Sequence, residues 1–320
     1  MVLSHLERVM GRGNYSATAH RRIVTARATK PREEVFAQRS IDPRMQPRST
    51  VRESRDSDGN EDSIGIVFAL DVSSSMEEIP QFMATETLPD FMDAVLDVLP
   101  DAQVLFMAFG NAYADRAPLQ VGQFESTGPL MDQWLKSCWI ESGGGGMGES
   151  YDLAMLYARH CTTMDCWEKR GRKGYCFITG DEVNFTSVTS GTVRQQLGLE
   201  LPDLPIHDTC AQLLERYEAF FLIPDPVRAK QCEAHWRMVL GERVVVLPRP
   251  AAAAQAAALL VRIVEGAIKT PSALAAFVAK YAPDHPELTD ALTPILAAVT
   301  GTGFPAPRGV GTSDFPGFAG

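Results

Sequence analysis

The chain has 320 residues, 45% of them hydrophobic, enough for one large or two small domains with a substantial core. Its formal net charge of −10 is uneven: residues 1–56 carry 12 Lys and Arg against 6 Asp and Glu, a net of +6, and the remainder carries 18 against 34, a net of −16. The acidic body argues against a nucleic-acid-binding core; the six cysteines contain no CxxC pair and fit a reducing cytosol without disulfides.

In chain order, residues 1–61 are rich in Arg, Ser, Thr, Pro and Asp and show no sustained periodicity. They read as an extended arm and linker, disordered or wrapped on the body or a partner, with a short helix near Ser4–Met10. The opening MVLSHLERVMGRG lacks the apolar stretch of a signal peptide, and no run of about 18 apolar residues exists to span a membrane, so a cytoplasmic protein is expected. SIGIVFAL (63–70) is a continuous apolar run, as in a strand buried on both faces. A helix is expected over Ile79–Leu99, a second strand over 102–110, a short edge strand near Phe124, and a short helix over Gly128–Ser137. GGGGMG (143–148) opens a helix at Glu149–Cys161, followed by a strand at KGYCFITG (173–180). A helix over Leu213–Ala219 leads into the strand FFLIP (220–224). A helix over Pro226–Leu240, a strand RVVVLP (243–248) and a helix over Ala251–Ile268 follow. Residues 269–320 begin helical and end in a Gly/Pro tail expected to be disordered.

Strands alternating with helices predict an α/β fold with a doubly wound sheet covered by helices on both faces, spanning residues 62–268. Such sheets bind ligands beyond the carboxyl ends of their strands, near the point where strand order switches direction. Three oxygen-rich loops belong there: Asp71-x-Ser73-x-Ser75, GGGGMGES ending in Ser150, and FITGDE with Thr179, Asp181 and Glu182. They supply oxygen and neither nitrogen nor sulfur, which suits Mg²⁺ or Mn²⁺. With only one or two carboxylates facing it, such an ion keeps net positive charge and an open position for an acidic group from outside.

DVSSSM, placed immediately after an apolar first strand, resembles the DxSxS motif of the von Willebrand factor A domain and its metal-ion-dependent adhesion site. The resemblance implies a Rossmann-like sheet with a divalent ion at its top, Asp71, Ser73 and Ser75 as first-loop ligands, Ser150 where the family usually has Thr, and Asp181 as the third-loop acid. The third loop departs from the usual T-D-G: it reads Thr179-Gly180-Asp181-Glu182, so the acid has moved one place, and Asp181 acts through water or shares its role with Glu182. The chain also resembles bacterial and phage cytosolic proteins of this class, which often accompany MoxR-type AAA+ ATPases or work in stress and conflict systems. The function implied is a non-enzymatic adaptor that captures an exposed Asp or Glu of a protein partner. A Mg²⁺-dependent hydrolase or phosphotransferase and a structural subunit of a larger assembly are the alternatives.

Plainer readings stand beside these. DxSxS is also a helix-cap pattern, and Asp181-Glu182 could begin a solvated loop. The glycine run lacks the Lys-Ser/Thr of a P-loop. His160, Cys161 and Cys166 match no common zinc spacing, none of the six His lies in the three loops to serve as base to a Ser nucleophile, and Asp115 reads as a turn residue.

Overall fold

The computed structural model describes residues 15–141, 148–185, 187–301 and 303–304. The expected helix near Ser4–Met10, the glycines at 143–146 and the tail beyond 304 lie outside them.

The apolar runs form the strands. β1 (Arg52–Ser54) precedes β2 (Ile64–Asp71), β3 (Ala102–Phe109) and the short β4 (Leu119–Val121); then come β5 (Thr162–Met164), β6 (Gly174–Thr179), β7 (Ser187–Val188), β8 (Leu204–Pro205), β9 (Tyr217–Ile223) and β10 (Val244–Val246). Six of them make one sheet in the order β10-β9-β6-β2-β3-β4, parallel throughout except for the antiparallel edge pair β3–β4. From β2 the chain steps outward to β3 and β4 on one side, then returns to β6 and continues to β9 and β10 on the other. The switch in direction therefore lies between β2 and β6.

Every residue of β2, β3 and β6 is buried, which requires cover on both faces. The Ala253–Val264 helix packs on the Leu88–Leu96 helix, and the Tyr151–His160, Ile206–Arg216 and Pro226–Leu240 helices form a second group. The register sets Phe106, Phe68, Phe177 and Phe220 side by side on four neighbouring strands. Their rings follow one another at 5.9, 5.3 and 6.0 Å between centroids, the outer two pairs stacked and the Phe68–Phe177 pair tilted by 32°. The helix expected from Ile79 begins at Glu78 and contains a wider turn at Met83–Thr87. Pro89, two residues after this turn, has no N–H to continue the regular ladder.

The described part of the arm, residues 15–61, is wrapped on the body, one of the forms expected, and carries helix and strand that the sequence reading did not place. Residues Ala17–Thr25 form a helix that packs on the 83–96 segment and on the Gly128–Ser137 helix, and β1 pairs in parallel with β5. Ion pairs supply what the low apolar content does not. Arg27 and Asp132 form an almost buried pair, Arg27 Nε donates to the Ala84 carbonyl at 2.7 Å, and Arg55 Nη1 reaches Asp165 at 2.8 Å and Glu168 at 2.6 Å. A few apolar anchors complete the seam: Val24, Val35, Phe36 and Met45 are buried.

Candidate functional site

The first loop is a tight turn, not a helix cap. Asp71 Oδ1 accepts from the backbone N–H of Ser73 at 2.8 Å, and the following helix starts only at Glu78, with no side-chain cap at Glu77. Ser73 Oγ and Ser75 Oγ are 3.3 Å apart and partly exposed. The turn is fixed from beneath: Val72 packs in an apolar cluster with Met45, Ala108 and Cys138, and Arg32 of the arm pairs with Glu77.

The second loop arrives through Ser150, which is buried. Its N–H donates to the Gly110 carbonyl at 3.2 Å, and its hydroxyl accepts from the Ala112 N–H at 3.0 Å. It makes no cap bond to its own helix, so its proton and second lone pair remain available.

The third loop leaves β6 at Thr179, whose hydroxyl accepts from the Asp71 N–H at 3.2 Å, tying β2 to β6 at the switch point. Asp181 is fully buried and neither of its carboxylate oxygens has a hydrogen-bond partner. Glu182 turns aside: its carboxylate accepts from the Gly148 N–H at 2.7 Å and its carbonyl from Trp236 Nε1 at 2.9 Å.

Three residues outside the expected set belong to the site. Tyr151 is buried between the loops: its hydroxyl donates to Asp71 Oδ2 at 3.2 Å and accepts from the Glu182 N–H at 3.2 Å. Gly180 lies against that ring; a Cβ there would fall 2.2 Å from Tyr151 Cε1. Glu149 is almost fully buried with Oε2 unpartnered. Arg228 places Nη1 3.3 Å from Asp181 Oδ2. Asp115, read as a turn residue, does close a turn, accepting from the Asn111 N–H at 2.7 Å.

Electrostatically the site is short of positive charge. Burial pushes the Asp71 carboxyl up to about 7, with Asp181 adding to the effect against the hydrogen bonds from Ser73 and Tyr151. Burial, then the charges of Asp71, Asp115, Glu182 and Asp181, pushes Glu149 up to about 9. Among the described residues no three Asp, Glu, His or Cys side chains form a metal-holding group. A divalent ion here would therefore need hydroxyl ligands as well as carboxylates. Ser73, Ser75 and Ser150 offer such hydroxyls, and the buried carboxylate of Asp181 accepts no hydrogen bond, its one cationic neighbour among the described residues being the partly exposed Arg228. On chemistry and burial the residues fit a hard cation.

Zinc ligation at His160, Cys161 and Cys166 finds no footing: His160 Nε2 is bonded to Gln212 at 2.9 Å, and both thiols are buried with burial pushing them up.

No family model matches the chain, and no curated protein matches it. Among solved structures, proximal thread matrix protein 1 from the mussel byssus is similar over 67% of this chain and 48% of its own, at 11% identity and a TM-score of 0.43. The pilus adhesin SpaC from Lactobacillus rhamnosus GG is similar over 72% of this chain and 32% of its own, at 10% identity and a TM-score of 0.42. The chain thus spans less than half the length of either structure.

Proposed function

We propose that this chain is a metal-dependent protein-binding module of the von Willebrand factor A type. Asp71, Ser73, Ser75 and Ser150, with Asp181, hold Mg²⁺ or Mn²⁺, and the ion completes its coordination with an Asp or Glu of a protein partner. The observation that carries this reading is the buried carboxylate of Asp181, which accepts no hydrogen bond and acts electrostatically on Asp71, near the point where the strand order reverses. The antiparallel edge strand β4 and the three oxygen-bearing loops on one rim agree with it. The Asp71 turn does not cap the helix after it, which removes the plainer purpose for its hydroxyls.

The division of labour follows from charge. Serine ligands are neutral, so with Asp71 as the one directly bound carboxylate and Asp181 acting through water the ion keeps part of its charge, and a charge-assisted bond from an incoming carboxylate is short and strong. Tyr151 holds Asp71 in place and Thr179 fixes the strand beneath it. A partner with an exposed acidic residue fits this chemistry, and by family resemblance a MoxR-type AAA+ ATPase is one candidate. Among the described residues no helix is long and apolar enough to cross a membrane.

The test is titration of Mn²⁺ by calorimetry into wild type and Asp71→Ala, followed by partner affinity for wild type, Ser75→Ala and Ser75→Asp in Mg²⁺ and in EDTA. Loss of Mn²⁺ binding in Asp71→Ala, and weaker partner binding in both Ser75 variants, is expected. Chelator-insensitive partner binding that ignores both substitutions sinks the metal bridge.

One observation favours the enzymatic alternative. A hydrolase or phosphotransferase needs a cation to grip phosphate, and Arg228 stands at the rim. Turnover of phosphate esters or nucleotides by the purified protein with Mg²⁺ would select that reading.

A further inference from the structure

Asp181 is fully buried, neither of its carboxylate oxygens accepts a hydrogen bond, and Arg228 approaches to 3.3 Å. Asp71, Asp115, Glu182 and Asp181 all act electrostatically on the neighbouring Glu149. Arg228 differs from these acids in having a way out. Its backbone is pinned at the helix start, where Asp225 Oδ1 accepts from the Val227 N–H at 2.7 Å and from the Arg228 N–H at 3.0 Å. Its side chain is 39% exposed, against 0% for Asp181.

We propose that Arg228 is the resident counter-ion of Asp181 in the metal-free protein, and that metal uptake is an exchange in which the divalent ion takes Asp181 and the guanidinium swings to the rim. This rests on the reading of Asp71, Ser73, Ser75, Ser150 and Asp181 as a cation site. A buried carboxylate without a counter-charge is costly, so something must neutralise Asp181 before metal arrives. A divalent ion and a guanidinium compete for one buried carboxylate, because they repel at that range. The imperfect contact suits a removable partner: Arg228 gives Asp181 charge without a hydrogen bond.

Two consequences follow. The apparent metal affinity is lowered by the fraction of molecules in which Arg228 still covers Asp181. The released guanidinium, next to the 67% exposed Val227, adds positive charge to the rim only in the loaded form, so an acidic partner meets a more attractive surface after metal has bound.

The experiment is Mn²⁺ calorimetry on the full chain as wild type, Arg228→Gln, Lys230→Gln and Asp71→Ala, with thermal unfolding of each in EDTA and in saturating Mn²⁺. Arg228→Gln is expected to bind Mn²⁺ about fivefold tighter than wild type, as befits removal of a partly exposed competitor. It should also unfold at lower temperature in EDTA, with the deficit removed by Mn²⁺. Lys230→Gln, which removes an exposed charge from the same helix, should leave affinity unchanged. Equal or weaker Mn²⁺ binding by Arg228→Gln, unchanged stability in EDTA, or equal tightening by Lys230→Gln overturns the exchange. If wild type binds no Mn²⁺, or Asp71→Ala binds as wild type does, the cation site itself is overturned and the exchange with it. Loss of Mn²⁺ binding in Asp71→Ala, together with wild-type affinity in Arg228→Gln, overturns the exchange alone.

Discussion

At the scale of single residues, Tyr151 organises the site more than any proposed ligand does. One hydroxyl bridges Asp71 and the backbone of Glu182, and the ring occupies the space where a side chain at position 180 would be. This gives a physical reason for Thr179-Gly180-Asp181: the residue after Thr179 must be glycine to let the ring pass, so the acid stands one place later. Gly180→Ala should force Tyr151 from Asp71, cost about 1–3 kcal/mol by overpacking, and weaken Mn²⁺ binding. Denaturant unfolding and calorimetry on the variant check both effects. Asp71, Ser73, Ser75 and Asp181 were legible in the sequence because small oxygen-bearing residues follow long apolar runs there. Tyr151, Glu149 and Arg228 were not, because a tyrosine, a glutamate and an arginine in helical or pre-helical sequence look like core, surface and surface. Only the tertiary placement of the Tyr151–His160 and Pro226–Leu240 helices brings them to the loops.

At the scale of elements, the arm is where pattern reading reached least: it left wrapping and disorder both open and placed neither the Ala17–Thr25 helix nor β1. The strands announced themselves as apolar runs, while the arm is ordered by pairs that join residues far apart in sequence, and local composition does not reveal those. The Arg27–Asp132 pair is the sharpest case, with side chains 8% and 5% exposed. Asp132→Ala should cost about 3–5 kcal/mol by leaving Arg27 buried without its carboxylate, and should make residues 15–61 the first target of limited proteolysis. The double substitution Arg27→Met with Asp132→Leu should restore much of the loss. The arm helix also carries a pH response. Burial, aided by Arg27 and Arg21, lowers the His20 imidazole from 6.5 to about 4, while its Nδ1 meets the Tyr15 hydroxyl at 3.1 Å. Between those values the unfolded chain binds a proton at His20 that the folded chain refuses. The stability contribution is therefore complete above pH 6.5 and is lost as pH falls towards 4, to the extent of roughly 3 kcal/mol. Unfolding of wild type and His20→Asn from pH 7 to pH 4 checks this: the variant should lose less over that window.

At the scale of the whole molecule, the sheet and its wrapping differ in how they are assembled. The adjoining rings of Phe106, Phe68, Phe177 and Phe220 tie four strands into one unit, and the alternation of strands and helices that builds it was readable from sequence. The pairing of β1 with β5, and of Arg55 with Asp165 across 110 residues, was not. That separation has a consequence for synthesis. At roughly 5–20 residues per second, β1 and Arg55 leave the ribosome several seconds to about 20 seconds before β5 and Asp165 exist. During that interval Arg55 has no Asp165 to settle on and is open to chaperones or to the ribosomal RNA itself. Nascent chains stalled before residue 160 should therefore yield the arm to protease, while chains stalled well past residue 175, with β5 and Asp165 outside the exit tunnel, should begin to protect it.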